Sequence, residues 1–390
     1  MAYLDKKESE LRVNKVREIL KKKDIDIALV YYDEFNIGNG WYLTGWCPQF
    51  ESGVVMVPRE GKPMILGGPE SEPFAKLDSA ITETRNLPVF MVPDEEYPNA
   101  TIIDFPELFK EISKDKPIRS VGIAGMDRMP LGVYRQMEKS FTGVKMLDIT
   151  SEYVELRYIK SKWEITQIRK AFEITDSAYK AMVKKVKPGA YEYEVAAVGE
   201  SVARALGASG LGFGTIVGSG PRSNAVVPTA RDRKMKKGEF VMVGISPRWK
   251  GYCGVTGNTL VVGSKPTVKQ KECLKHLSEA LRLTRSKLVP GNIGKEIDAP
   301  ARAYFNKVSY LKYLVCPFCH TIGVHEAESP FFGPHSKDEL KPGMTVCIDV
   351  SFFGHPEFNG VRIETGYEIT EKGLVPMSPY MDKLLCLMAR

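Results

Sequence analysis

CHTIGVHEAESP (residues 319–330), LKPGMTVCIDVSFF (340–353) and NGVRIETGYEIT (359–370) are the stretches on which the reading of this chain turns. They read as strands, and they gather most of the side chains able to do chemistry. Two of the five histidines, His320 and His325, fall here and His355 lies between the last two stretches, with Asp349, Glu364 and Glu368 within them. The rest of the chain reads as a scaffold that closes a pocket over them.

Working outward, the segment from Arg157 to Gly189 opens a second domain. Ser161 and Glu164 form a capping box that starts a long helix, Ile165, Ile168, Phe172 and Ala178 line its inner face, and Pro188-Gly189 stops it. A second helix is expected from about Tyr191 to Leu206, and two more near 266–289 and 293–308. Between them, GFGTIVGSG and EFVMVGISPRWKGYCGVTGNTLVVG read as strands. Helices followed by hairpin-rich strands indicate an α+β domain over 156–390.

Upstream, residues 5–22 place Leu11, Val13, Val16 and Leu20 at helical spacing, and Ile25–Tyr32 reads as a buried strand. GNGWYLTGW, GVVMV, KPMILGG and RSVGIAG are expected to add short strands, with helices near 70–76 and 130–139. GNG at 38–40 reads as a turn, because no helix start follows it to make a phosphate loop. Strands alternating with helices indicate an α/β domain over 1–155.

Composition bounds the function. The chain has 390 residues, enough for two cores, with 43% hydrophobic and 26% charged residues. A formal charge of +7 with no basic block argues against nucleic-acid binding. No run of transmembrane length and no signal-peptide core are seen, so no membrane partner is expected and the location read is cytoplasmic. Seven scattered cysteines suggest reduced thiols. Cys316-Pro-Phe-Cys319-His320 spells a haem-attachment pattern, but such attachment needs export, which nothing signals.

Seven ordered motifs carry a resemblance. They are R-x-x-K-S-x-x-E-I at 157–165, SGPRS at 219–223, DRKMKKGE at 232–239, KGYC at 250–253, HTIG at 320–323, LKPGMT at 340–345 and GVRIE at 360–364. In these the chain resembles the pita-bread-fold creatinase/aminopeptidase P/prolidase group over nearly its whole length. The resemblance implies an α/β N-terminal domain, a pita-bread catalytic domain and a homodimer. It also implies, for the peptidases of the group, a two-metal site held by two Asp, one His and two Glu that activates a water.

Position by position, this sequence departs from that set. The two aspartates fall on Gly244 and Val255, the histidine on His320, the first glutamate on Asp349 and the last on Glu364. The substrate-binding histidine, catalytic in creatinase, falls on Val227. One imidazole and two carboxylates remain, enough for one Mn²⁺, Fe²⁺ or Zn²⁺ ion or for none. His325 and Glu326 follow the group's V-H-E pattern, with His325 two residues nearer His320 than usual.

Three functions stay open. The first is a creatinase-like hydrolase or lyase that cleaves a C–N bond in a small polar, cationic or zwitterionic, metabolite without a two-metal centre. There Asp349 and Glu364 form the acid/base pair and His320 carries the proton. Substrate contacts are expected from His325, Glu326, Arg222, Tyr252 and Arg362, with Arg362 alternatively paired to an acid on a neighbouring strand. The second is a Xaa-Pro peptidase-like hydrolase with one ion on His320, Asp349 and Glu364, and the third a pita-bread binding protein without turnover. His276 is expected to be solvated, and Cys253, Cys319 and Cys347 to be small buried thiols.

Overall fold

The computed structural model describes residues 3–113 and 116–387. The chain forms two compact units, Met1–Arg157 and Tyr158–Arg390.

The first unit runs α1 (Lys6–Lys23), β1 (Ile27–Tyr32), α2 (Gly38–Thr44), β2 (Gly53–Pro58), β3 (Met64–Gly67), α3 (Glu72–Asp78), β4 (Thr84–Asn86), α4 (Phe105–Ser113), β5 (Ser120–Ala124), α5 (Leu131–Ser140), β6 (Lys145–Asp148) and α6 (Thr150–Glu155). Its sheet has the order β4-β3-β2-β1-β5-β6. The pairings β1–β5, β5–β6 and β3–β4 are parallel, and β1–β2 and β2–β3 antiparallel. Central β1 is buried at every position because helices pack on both faces. GNGWYLT, expected to start in a turn and continue as a strand, is helix α2. Packing explains this difference: a Cβ on Gly40 would stand 2.2 Å from the Tyr32 ring, so glycine lets the helix lie directly on β1. Gly45, at φ 66°, then caps it. Helices α4 and α6 were not foreseen; they are short, and Pro106 opens one of them.

The second unit runs α7 (Lys162–Lys185), α8 (Glu192–Ala205), β7 (Gly210–Leu211), β8 (Ile216–Ser219), β9 (Phe240–Ile245), β10 (Pro247–Trp249), β11 (Tyr252–Cys253), β12 (Thr256–Val261), α9 (Val268–Arg285), α10 (Gly294–Lys307), β13 (Cys319–Thr321), β14 (Glu328–Phe331), β15 (Thr345–His355), β16 (Asn359–Thr370), β17 (Gly373–Pro376) and α11 (Pro379–Leu387). The capping box is present: Ser161 Oγ accepts from the Glu164 amide, and the Glu164 carboxylate accepts from the Ser161 amide at 2.8 Å. The large sheet has the order β14-β13-β15-β16-β12-β9-β8, with β17 on β16, and a small sheet has the order β11-β10-β7.

Period-two alternation sorts the faces of the large sheet. Ile348, Val350 and Phe352 of β15 and Val361, Ile363 and Ile369 of β16 join the same core as Leu277, Ala280 and Leu281 of α9. The intervening residues Cys347, Asp349, Ser351, Arg362 and Glu364 face the other way. This fold is the α/β plus pita-bread α+β architecture expected from the sequence.

Candidate functional site

One rung of the large sheet places the chemistry. Reading across the strands, Ile216 pairs with Gly244, Gly244 with Gly257, Gly257 with Glu364, and Glu364 with Asp349. His320 enters from β13, where it pairs with Cys347, two residues before Asp349. His320, Asp349 and Glu364 are each buried and offer donor atoms within 4.8 Å of one another.

Arg362 and Asp349 form a closed pair. The guanidinium donates from Nε and Nη2 to the two carboxylate oxygens, both at 3.0 Å. Both residues are buried, so this is a charge-assisted fork in a sheltered place. The Arg362 stem crosses Gly257, where a Cβ would stand 2.8 Å from Arg362 Cδ; glycine leaves the stem its path. Of the two roles open to Arg362, the structure shows the interstrand pair.

His320, Glu364 and Glu326 form the second group. His320 Nε2 lies 3.7 Å from Glu364 Oε1 and 3.8 Å from Glu326 Oε1, while Nδ1 lies 3.0 Å from the Thr321 carbonyl. Nδ1–H donating to that carbonyl fixes the ring and points Nε2 at the acids. Burial pulls the imidazole pKa down, but the attraction of Glu364 and Glu326 more than offsets it and lifts it to about 9. Glu326 moves to about 8, first because burial disfavours its charge and then because Glu364 repels it. Burial pushes Glu364 up as well, yet His320 and Arg362 hold it below the usual carboxylate range. Asp349 is raised by burial, and Arg362 opposes that rise. At neutral pH the geometry therefore favours an imidazolium, an ionised Glu364 and a protonated Glu326.

The sequence reading paired Asp349 with Glu364 as acid and base. In the structure Asp349 is engaged at both oxygens by Arg362, and Glu326, in the turn after β13, stands beside His320. Of the two neighbours in the V-H-E pattern, the glutamate reaches the cluster; the His325 carbonyl accepts from the Gly323 amide and its ring is only half-buried. Arg222, expected to clamp substrate, instead donates to Glu192 at 2.8 Å and to the Thr229 carbonyl at 2.6 Å. Tyr252 donates its hydroxyl to Glu164 at 2.9 Å. Both contacts tie the scaffold together.

The remaining histidines lie elsewhere. His355 Nδ1 accepts from the Glu357 and Phe358 amides at 3.2 Å, closing the β15–β16 turn. His276, expected to be solvated, is half-buried, with Nδ1 2.7 Å from the Tyr304 hydroxyl. His335 is exposed. Cys253, Cys319 and Cys347 are fully buried, as expected of small thiols.

At the two positions where the resemblance leads one to expect aspartates, the structure is packed. Val255 is fully buried. A Cβ on Gly244 would stand 2.9 Å from the Thr256 carbonyl oxygen and 3.5 Å from Gly257 Cα, so β9 and β12 approach too closely there for an unstrained side chain.

Residues 166–371 match the model of metallopeptidase family M24, and residues 12–159 match the creatinase/prolidase N-terminal domain. The chain belongs to metallopeptidase family M24. It is 29% identical over 362 residues to a Xaa-Pro dipeptidase of Pyrococcus horikoshii, covering 93% of this chain and 95% of that one. It is 32% identical to an uncharacterised peptidase of Bacillus subtilis over 63% of this chain and 69% of the other. The solved prolidase from Pyrococcus horikoshii superposes with a TM-score of 0.79 at 27% identity, covering 94% and 97% of the two chains. As an M24 member the chain is a hydrolase acting on C–N bonds. No helix among the described residues is long and apolar enough to cross a membrane.

Proposed function

We propose that this M24 member is a divergent one that hydrolyses a C–N bond of a small polar substrate by proton transfer, without a two-metal centre. The observation that carries the reading is the filling of the site: Gly244, with no room for a side chain, and buried Val255 stand where one half of a ligand set would be, while Arg362 neutralises Asp349 in the other half. Five donors have become three, and one of the three is held at both oxygens. A two-metal centre does not fit these residues.

The chemistry then falls to the second group. Ionised Glu364 takes a proton from a water as its oxygen bonds to the substrate carbon. His320, as imidazolium, stabilises the charge that develops on the tetrahedral centre. Protonated Glu326 gives its proton to the departing nitrogen as the C–N bond breaks, so the water's second proton remains on the product. Asp349 and Arg362 hold the strand pair on which Glu364 stands. A homodimer, a cytoplasmic location and a small-molecule partner belong to the same proposal.

The three donors within 4.8 Å favour a second reading, in which His320, Asp349 and Glu364 hold one divalent ion. Asp349 would then have to share its oxygens with Arg362. The Xaa-Pro dipeptidase names of the relatives direct substrate trials to Xaa-Pro peptides under this reading. Elemental analysis of protein purified without chelator or a metal-affinity tag separates the two. Less than a tenth of an equivalent of metal, with turnover of an amidine, amide or dipeptide substrate unaffected by chelator, is expected. About one equivalent of Mn, Fe or Zn, lost together with activity in His320→Ala, would replace the first reading by the second.

A further inference from the structure

The face of the large sheet away from the catalytic group carries an open groove. Gly257 of β12 pairs with Glu364 on the catalytic rung, so its neighbours Asn258 and Leu260 face the other way. There a groove of about 370 Å³ runs between α7 on one side and α9 and α11 on the other, with β12 as its floor. Val183 and Val186 of α7, Leu260 and Val261 of β12, Leu274 of α9 and Leu384 of α11 line it. Contacts close it at both ends. At one, Ser378 Oγ donates to Asp176 at 2.6 Å and the Lys180 ammonium stands 4.1 Å from the Tyr380 ring centre, which ties α7 to α11. At the other, the point where a Cβ on Gly263 would stand is 2.4 Å from Pro188 Cγ, so the turn after β12 abuts the end of α7.

The polar groups of the floor are engaged within the chain. Asn258 Nδ2 donates to the Tyr179 hydroxyl at 2.8 Å, and Thr259 Oγ1 accepts from the Arg362 amide at 2.9 Å. The middle of the groove therefore offers mainly apolar surface. Its two ends differ in charge. Lys180 is shared between Asp176 and the Tyr380 ring. At the Pro188–Gly263 end, Lys187 follows Val186, and Lys265 stands between Ser264 and Pro266, both of which line the groove. These two lysines are exposed and, among the described residues, have no carboxylate in ion-pair range. Glu194, within electrostatic reach of Lys187, is engaged by Lys185 at 3.3 Å and by the Tyr191 amide at 2.9 Å. The first turn of α9 carries no acid.

Size decides the class of occupant. About 370 Å³ falls within the range of small-molecule sites, whereas a protein partner covers about 20–30 residues a side. An apolar length with two unpaired cations at one end fits an amphipathic anion. We propose that this groove binds a linear acyl carboxylate, with its chain over Val183, Leu260 and Leu274 and its carboxylate at Lys187 and Lys265. The sheet separates this site from the catalytic group, and the proposal does not rest on the hydrolytic reading.

The test is calorimetric titration of the full chain with octanoate, octylammonium and acetate, each below any micelle-forming concentration. The first two share a chain and differ in charge, and acetate carries the charge without the chain. Wild type is expected to bind one octanoate per chain, about 10-fold more tightly than octylammonium, and acetate not measurably. Val183→Trp, which fills the groove, abolishes octanoate binding. Lys187→Glu combined with Lys265→Glu brings octanoate to the level of octylammonium or below it. Should Val183→Trp fail to fold, the charge-reversed pair, at two exposed positions, carries the test. Equal binding of octanoate and octylammonium by wild type, acetate binding as tight as that of octanoate, no octanoate binding, or octanoate binding unmoved by the charge reversal overturns the site. Uptake of several octanoates per chain that neither variant changes overturns it as well. A second copy of the chain in the groove would show as altered sedimentation of Val183→Trp together with failure of wild type to bind octanoate, and would also overturn the proposal.

Discussion

The two halves of the large sheet treat the same rung in opposite ways. On β8, β9 and β12 it runs through Ile216, Gly244 and Gly257, whereas on β16 and β15 it runs through Glu364 and Asp349. The first half is held by close backbone approach, with nothing to neutralise. The second buries charge and must balance it from within, through Arg362 on one acid and His320 on the other. The contrast teaches that removing ligands from one side of a pocket leaves the other side with a surplus of carboxylate, which only internal cations and a shared proton can relieve.

The largest effect expected is on catalysis in the polar half. Glu364→Gln should lower kcat by roughly 10²–10⁴, as should Glu326→Gln, while Asp349→Asn has a smaller effect because its role is structural. Steady-state kinetics on any substrate the wild type turns over checks this. A kcat within twofold of wild type in Glu364→Gln would dissolve the distinction between the halves.

Next in size is the ion pair. Arg362→Met strands Asp349 in a buried site and should lower stability by about 3–5 kcal/mol in urea denaturation. Adding Asp349→Leu should return most of that loss, since both charges are then gone. If the single substitution is nearly silent, the charge of the polar half is balanced by something other than this pair.

The apolar half offers the converse. Val255→Asp places a carboxylate at a fully buried position and should destabilise by about 3 kcal/mol. Mn²⁺ should not recover that stability, because Gly244 still supplies no second donor. A Mn²⁺-dependent rise in melting temperature would show that the closed half can be reopened as a metal site.

The smallest effect is that of pH. His320 has a folded pKa of about 9 against an ordinary 6.5, and Glu326 about 8 against 4.5. Both hold their protons more tightly when folded. Their stabilisation is complete below the ordinary value and lost as pH rises through the folded one, Glu326 by about 8 and His320 by about 9. Glu364, held low, acts in the opposite sense and loses its contribution only as pH falls below its ordinary 4.5. Melting temperature should therefore decline from pH 7 to 9.5, and less steeply in Glu326→Gln. A flat profile would mean that the three groups do not share a proton as described.

Much of this arrangement was legible in the residues. The capping box at Ser161 and Glu164, the long strands around Asp349 and Glu364, and the burial of Cys347 follow from local chemistry and period-two patterning, which operate over a few residues. The helix at Gly38–Thr44 was not legible, because its glycines serve contact with Tyr32 on another element rather than a turn. Nor was the role of Glu326. Its place in the turn after β13 looks like that of a neighbour to His325, and only folding of the turn brings its carboxylate to His320.

The sequence by itself determined the family, the order of helices and strands, and which side chains could do chemistry, since these depend on residue type, spacing and motif order. Tertiary structure alone decided which of those side chains are available. Arg362 and Arg222 both carry the group a substrate clamp would need, yet each meets a carboxylate of the chain itself, Asp349 across the strand pair and Glu192 on a helix. Partnership between charges depends on distances of a few ångströms between residues far apart in the chain, and no local pattern encodes them.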